Sequence, residues 1–527
     1  MDPILSSILS ILSANEGPAI QNYPSPLWSR FLNSHPCNDM PKMNAQKQKG
    51  YSRSRNGCLQ CRGRHQKCDE RKPKCSLCAS RQVHCEYSST RKFVQSTGPL
   101  MMRHKPREPR SCAELKDHSM PEACLFLETG SFDNEIDKAA WKYYVHIVSP
   151  HIPAIDGPEN PYRELSIIAL SSPVLLHTII CIASEHMLNS GLVSVSTAAV
   201  HKLRMLKSID RCLKQIHAQD RAQNQTPYSD MDTEFNTVLA AIVLQGVVVA
   251  LTHNEAPEPH IVYALSLLRP TQLLHTIPRT PLIRMVLQRF AIMDVTVSIS
   301  RQRRPCAPRD FILYQPAPFW DASEPSVLKM TGCPQPLMCF LVQISHLNND
   351  IDEGLEQGLA SGLSRASALQ SELQSWWLGY GESNSTSPRD PLSLLTECYF
   401  HAAELLLARR VFKYPTTSPM IQKIVQTSLG LMKDLSPGCG VDSSLPQPFY
   451  LTAREALSPT DRDWVRRRHV EMGYYYREQQ RNATMDHIEN IWRTVDGFLA
   501  EPNQAKNFGT LDARIKGLDR SSAVFIF

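Results

Sequence analysis

Six cysteines between residues 58 and 85 stand at spacings that suit metal binding. They run Cys58-x2-Cys61-x6-Cys68-x6-Cys75-x2-Cys78-x6-Cys85, and the last three repeat the first three at a constant offset of 17 residues. Thiolates are soft, charged ligands. A set made of them alone selects zinc at a tetrahedral site and leaves no position for water, so its role is structural and not catalytic. Two tetrahedral ions need eight ligand positions, which six thiolates supply only if two of them bridge. The repeat therefore implies two metals and one shared cysteine from each half. The pseudo-twofold suggests Cys58 and Cys75, the first cysteine of each half, as the bridges. Cys61 and Cys68 then complete one ion, and Cys78 and Cys85 the other. One rival is a single site of Cys58, Cys61, Cys75 and Cys78, which leaves Cys68 and Cys85 at matched positions with nothing to do. A disulfide framework is the other. It belongs to secreted chains, and Met1-Asp2-Pro3 lacks the basic start of a secretory signal despite the apolar stretch from Ile4 to Leu12. With six thiolates at hand, His65 and His84 are expected to be exposed and not ligands.

The elements that position these cysteines follow from the spacing. Each Cys-x2-Cys pair grips an ion from a tight turn, and the x6 that follows leaves room for a short helix to reach the far side of the site. A segment of about 30 residues has almost no apolar core, so folding and zinc binding are expected to be one event. The two halves differ in charge. The first helix carries Arg62, Arg64, His65 and Lys67, whereas Ala79 to His84 in the second holds only Arg81 and His84. Two zinc ions and six thiolates sum to about −2, so without a basic collar the cluster would repel DNA. Arg and Lys can donate two bonds to the O6 and N7 edge of guanine, which makes the first helix the one expected in the major groove.

The rest of the chain sharpens that contrast. Its 527 residues carry a formal charge of +6, yet residues 42–110 hold 18 Lys and Arg against 4 Asp and Glu, leaving the remainder at −8. A strongly basic segment on an acidic body points to a polyanion met by that segment alone. The other ten cysteines (Cys37, Cys112, Cys124, Cys181, Cys212, Cys306, Cys333, Cys339, Cys398 and Cys439) are scattered, several in apolar runs where a thiol packs as a small hydrophobe in a reduced compartment.

The segment Arg55-Asn-Gly-Cys58-Leu-Gln-Cys61-Arg-Gly-Arg-His-Gln-Lys67-Cys68-Asp-Glu-Arg-Lys-Pro73-Lys-Cys75 resembles the fungal binuclear zinc cluster, the Zn(2)-C6 family of transcription factors. The likeness includes the basic stretch between the second and third cysteines and the loop proline, Pro73. The resemblance implies two zinc ions bridged by the first and fourth cysteines, in agreement with Cys58 and Cys75. It also implies that Arg64 and His65 face the bases of a CGG-type triplet, while Arg62, Lys67, Arg53 and Arg55 hold phosphates. His65 departs from the lysine that some members carry, and a bidentate contact from it does not carry over.

Residues 1–51 mix Ser, Asn, Pro and Gln with few large apolar residues such as Trp28 and Phe31, and read as a disordered basic segment. The zinc module is assigned to 52–88 and a flexible Pro-, Lys-, Arg- and Ser-rich linker without heptads to 89–124. An all-α domain follows over 125–527, giving a mainly α chain: a small module with two short helices, a linker and a large helical body. Periodicity predicts a helix opening at Pro173 with Val174, Leu175, Ile179, Ile182, Ala183 and Met187 on one face, and a second face of Val200, Leu203, Leu206, Leu213 and Ile216. Asp232 and Glu234 suit the N-terminus of a helix over Phe235 to Leu251. Further helices are expected over Leu282 to Ile299, Leu337 to Leu347, Leu363 to Leu378, Leu392 to Val411, Ile421 to Leu435 and Trp464 to Leu499, with Gly381 to Pro391 a loop. The longest apolar run, Val238 to Leu251, is broken by Gln245 and too short for a bilayer, which needs about 20 residues.

Such a body resembles the fungal-specific transcription factor domain, in Leu175-Leu-His-Thr-Ile-Ile-Cys-Ile-Ala-Ser-Glu-His186 and Ala264-Leu-Ser-Leu-Leu-Arg269. Arg301, Arg303, Arg304 and Arg309 around Cys306 read as a solvated basic loop, and Arg466, Arg467 and Arg468 as a solvated helix face. His177, His186 and His201 read as core or surface residues, and Asn482-Ala-Thr484 as an unused glycosylation acceptor. A Gly-rich phosphate loop, Gly-x-Ser-x-Gly and His-Glu-x-x-His are all absent, so no enzyme is expected. The resemblance implies a nuclear, sequence-specific regulator of RNA polymerase II genes, governing a metabolic or biosynthetic set such as a specialised-metabolite cluster. Double-stranded DNA is its expected partner. A homodimer, and a small-molecule effector or coregulators bound through the helical body, are further partners to be tested. One alternative is a sterol- or lipid-responsive regulator, since Arg-Asn-Gly-Cys-Leu-Gln-Cys looks like the lead-in of sterol-uptake regulators. The other is a zinc-dependent module that binds protein, for which a basic first helix has no purpose.

Overall fold

The structure is a computed structural model, and it describes residues 58, 60–61, 68–85, 132, 134–222, 233–252, 256–317, 319–354, 359–384, 390–501 and 507–521. The described residues fall in two compact units, the cysteine module and a helical body. The segment 1–51 and the linker 89–124 lie outside the described residues, as do Cys37, Cys112 and Cys124. Every regular element among the described residues is a helix.

Proline marks where many of these helices begin. Nine body helices of eight residues or more carry it in their first two positions, including Pro161–Ile168, Pro173–Asn189, Pro281–Arg301, Pro391–Leu406 and Pro459–Tyr476. There the missing N–H is no loss and φ is already helical. These prolines thus serve as helix starts. Side chains cap two of these same helices, Asn160 accepting from the Tyr162 N–H and Asp390 from Ser393, and one further helix, Glu135–Tyr143, where Asn134 accepts from the Asp137 N–H.

Four helices form the centre of the body. Pro173–Asn189 packs on Val195–Ala222 and on Thr233–Leu251, which in turn crosses Pro281–Arg301. Thr233–Leu251 is buried from Phe235 to its last residue, and at the crossing a Cβ on Gly246 would stand 2.3 Å from the Met293 methyl carbon. Glycine is what lets these two helices approach so closely. Thr233–Leu251 is long and apolar enough to cross a membrane by length and composition, but 94% of that window is buried inside the body, as befits a core helix. Gln335–Asp352 then packs on Pro281–Arg301, Leu359–Asn384 and Pro391–Leu406, and the last carries Pro419–Asp434 and Pro446–Ala453. Phe508–Ser521 returns to pack on Pro281–Arg301.

Several expectations need correction. On Val195–Ala222 Leu206, Leu213 and Ile216 are buried as expected, but Val200 and Leu203 are 49% and 46% exposed, and Ala198, His201, Met205 and Ile209 complete the buried stripe. Two registers of apolar residues share that helix, and the neighbour it meets decides between them. The expected helix from Trp464 to Leu499 is two, Pro459–Tyr476 and Gln480–Ala500, separated at Arg477 with φ 57°. The helix Leu359–Asn384 runs into the segment expected as a loop after Gly381.

The basic clusters also differ from their expectation. Arg301 is buried and pairs with Glu258 at 2.6 Å. Arg304 and Arg309 both pair with the buried Asp350, and Arg303 donates to the Cys306 sulfur at 2.8 Å. The segment after Pro281–Arg301 is therefore bolted to the body by ion pairs. Asp294 adds to this, accepting from the N–H groups of Cys306 and Ala307 at 2.7 and 2.8 Å and from the Tyr314 hydroxyl at 3.0 Å. Burial first, then the Asp294 charge, pushes the Cys306 thiol up. Near the C-terminus Arg468 is buried against Asp442 at 3.3 Å, whereas Arg466 and Arg467 are exposed as expected, Arg466 lying over the Trp492 ring while pairing with Glu489. Of the histidines expected in core or surface positions, His186 is half-buried with Nδ1 3.0 Å from the Tyr143 hydroxyl, and His201 is buried 3.6 Å from Asp137.

Candidate metal centre

The six cysteine sulfurs gather as two overlapping sets of four. Cys58, Cys61, Cys68 and Cys75 form one and Cys58, Cys75, Cys78 and Cys85 the other, with all sulfurs of a set within 4.8 Å of one another. Cys58 and Cys75 belong to both. Their sulfurs stand 3.8 Å apart, and Cys58 to Cys78 and Cys61 to Cys75 are each 3.7 Å. A tetrahedron with metal–sulfur bonds of about 2.3 Å has an edge of about 3.8 Å, so these spacings fit zinc. The single site of Cys58, Cys61, Cys75 and Cys78 is not the grouping found. Nor are any of the six joined as disulfides.

The 17-residue repeat reappears in the backbone. Cys58 N–H points to the Cys68 sulfur at 3.5 Å and its counterpart Cys75 N–H to the Cys85 sulfur at 3.4 Å. Cys61 N–H points to Cys58 at 3.5 Å and Cys78 N–H to Cys75 at 3.4 Å. Each half thus folds around its sulfurs in the same way, and N–H groups directed at sulfur favour thiolate. Burial alone would raise the Cys58 thiol, but the Cys61 N–H and the thiols of Cys61, Cys78 and Cys85 bring it down to about 6. Burial pushes Cys61 up and Cys78 up to about 12. Loading with zinc therefore displaces protons, and its affinity rises with pH.

Little else holds the module. Among the described residues only Leu77, Val83 and Cys85 pack on the five buried cysteines, which agrees with the expected lack of an apolar core. The second helix is Ser76–Ser80, capped by the Cys75 sulfur. Asp69 accepts from Ser76 N–H at 3.1 Å and from its hydroxyl, so it ties the turn after Cys68 to the start of that helix. The Ser76 hydroxyl is the main reason its carboxyl lies below the usual range. Asp69 stands seven residues before that helix, too far along the chain for a local capping pattern to mark it. Gln60 and Cys61 are helical, His84 is exposed as expected, and the Lys72–Pro73 bond is cis. Arg53, Arg55, Arg62, Arg64, His65 and Lys67 lie outside the described residues.

Residues 56–92 match the fungal Zn(2)-Cys(6) binuclear cluster domain, and residues 140–502 match the fungal specific transcription factor domain. The second match covers most of the chain, and the protein belongs to the family of fungal-specific transcription factors. It is a zinc-binding, DNA-binding regulator of transcription whose cluster holds two zinc ions. Sterol uptake control protein 2 of Candida albicans is 40% identical over 55 residues, which is 10% of this chain and 8% of that protein. No solved structure matches the chain.

Proposed function

We propose that this protein acts in the nucleus as a sequence-specific regulator of RNA polymerase II genes that reads CGG-type triplets. The two four-sulfur sets sharing Cys58 and Cys75 are the observation that carries the reading, because they form the rigid platform that a short recognition helix needs. Zinc supplies that platform and no reactivity, since every position is taken by sulfur. In this reading Arg64 and His65 meet base edges, and Arg62, Lys67, Arg53 and Arg55 meet phosphates. The charge of +14 over residues 42–110 supports a strong salt dependence of binding. The genes governed would be a metabolic or biosynthetic set, such as a specialised-metabolite cluster. Binding-site selection with the zinc-loaded full chain tests the proposal. Enrichment of CGG triplets, lost in Arg64→Ala while two zincs remain bound, is expected. Selection of no GC-rich triplet would end it. The short match to Sterol uptake control protein 2 supports a second reading, control by a sterol or lipid, which binding of a labelled sterol to the purified protein would test.

A further inference from the structure

The helical body holds a charged cavity for which DNA reading has no use. Its volume is about 420 Å³, within the size range of small-molecule sites. Five cations reach it, Arg409, Arg410, Lys413, Arg454 and Lys516, against the carboxylates of Asp352, Glu455 and Asp512. Four of the cations are matched. Arg409 pairs with Glu455 and Asp512 at 2.8 Å each, Arg454 with Asp519 at 2.9 Å, and Lys413 and Lys516 with the two oxygens of Asp352.

Arg410 is the surplus charge. One of its terminal nitrogens donates to the Ile299 carbonyl, at the end of Pro281–Arg301. The other, Nη2, is buried with no hydrogen-bond partner, and among the described residues no carboxylate stands within ion-pair distance of this guanidinium. Burial, and then Arg454 and Arg409 against the more distant carboxylates of Asp519 and Glu455, lower its pKa to about 10, so it stays charged at neutral pH. An unpaired buried guanidinium is costly unless something pairs with it. It also sits in the π-helical turn Leu407–Val411, a wide turn of the kind that recurs at functional sites, directly after Pro391–Leu406.

We propose that this cavity binds a small organic oxyanion, a phosphorylated or carboxylated metabolite, whose anionic group pairs with Arg410 and whose carbon body lies on Leu405, Leu451 and Ile515. A guanidinium with free N–H groups fits a planar or tetrahedral oxyanion through two bonds. The apolar side chains give the rest of such a ligand a surface that bare inorganic phosphate would not use.

Thermal unfolding of the zinc-loaded full chain with glucose 6-phosphate, with citrate and with inorganic phosphate, each against sodium chloride at equal ionic strength, tests this. At least one organic anion should raise Tm saturably, and which one does so separates phosphate from carboxylate recognition. Arg410→Leu should abolish the shift while unfolding at the same or a higher temperature than the parent without ligand. Should that variant not fold, Arg410→Lys carries the test, with a midpoint about tenfold weaker expected once the fork is gone. A shift that follows ionic strength alone, no saturable shift with either organic anion, or an undiminished shift in the variant would overturn the proposal.

Discussion

Cys58 and Cys75 do more than the other four thiols because both four-sulfur sets include them. Each also receives an N–H from the cysteine three residues on, Cys61 or Cys78, so the same sulfur organises the turn and bridges the metals. Truncating a shared ligand and an unshared one should therefore differ in kind. Cys75→Ala removes a ligand from both ions and is expected to leave the module unfolded with neither bound. Cys85→Ala touches one ion only. Native mass spectrometry should find two zincs in the parent and one in Cys85→Ala, and equal losses from the two variants would refute the bridging arrangement.

Among the elements, the segment following Pro281–Arg301 shows how a loop is held without regular structure of its own. Asp294, buried within that helix, accepts two backbone N–H groups and the Tyr314 hydroxyl. Burial raises its pKa, and those three donors oppose the rise. Asp294→Ala would strand the donors in the core, at about 1–3 kcal/mol for each one left unpaired. A loss of at least about 2 kcal/mol in urea unfolding of the full chain is expected, against about 1 kcal/mol for Tyr314→Phe, which removes one bond. Equal stability of Asp294→Ala and the parent would show that the segment is held by its arginine pairs alone. Arg301, Arg304 and Arg309 looked solvated in the sequence because their partners, Glu258, Asp350 and Glu353, lie some 40 to 50 residues away. Charge runs show their signs locally, but pairing is a property of the fold.

For the whole molecule, buried titratable groups set the response to acid. Burial first, then Arg309 and Arg304, lower His346 from 6.5 to about 4. The unfolded chain takes up that proton earlier than the folded one, so stability is complete above about pH 6.5 and lost as pH falls toward 4. Below that, carboxylates join in. Against the rise that burial alone would cause, Arg304 and Arg309 hold Asp350 low, Arg409 holds Glu455 low and Arg454 holds Asp519 low. Their contribution is lost below about pH 4, where the unfolded carboxyls protonate. Tm measured from pH 7.5 to 4.5 should fall, and His346→Leu should flatten that fall. Both ring nitrogens of His346 are buried without hydrogen-bond partners, so the variant should also gain about 1 kcal/mol at neutral pH. A Tm profile in His346→Leu identical to that of the parent would assign the acid response to other groups.

The cysteine spacing by itself determined the number of metals, the identity of the shared ligands and the basic half of the module, because a metal site is specified by ligand types at short range. Apolar periodicity and proline starts, which are also local signals, determined the helical class of the body and most helix positions. Tertiary structure alone decided that Val200 and Leu203 face outward, that Arg477 divides the long C-terminal helix, and that Arg301, Arg304 and Arg309 are paired with carboxylates. It alone decided, too, that Arg410 is left without an ion-pair contact in a cavity shared with residues about 100 positions further along the chain. Which neighbour a residue meets depends on helices distant in sequence, and no local pattern records that choice.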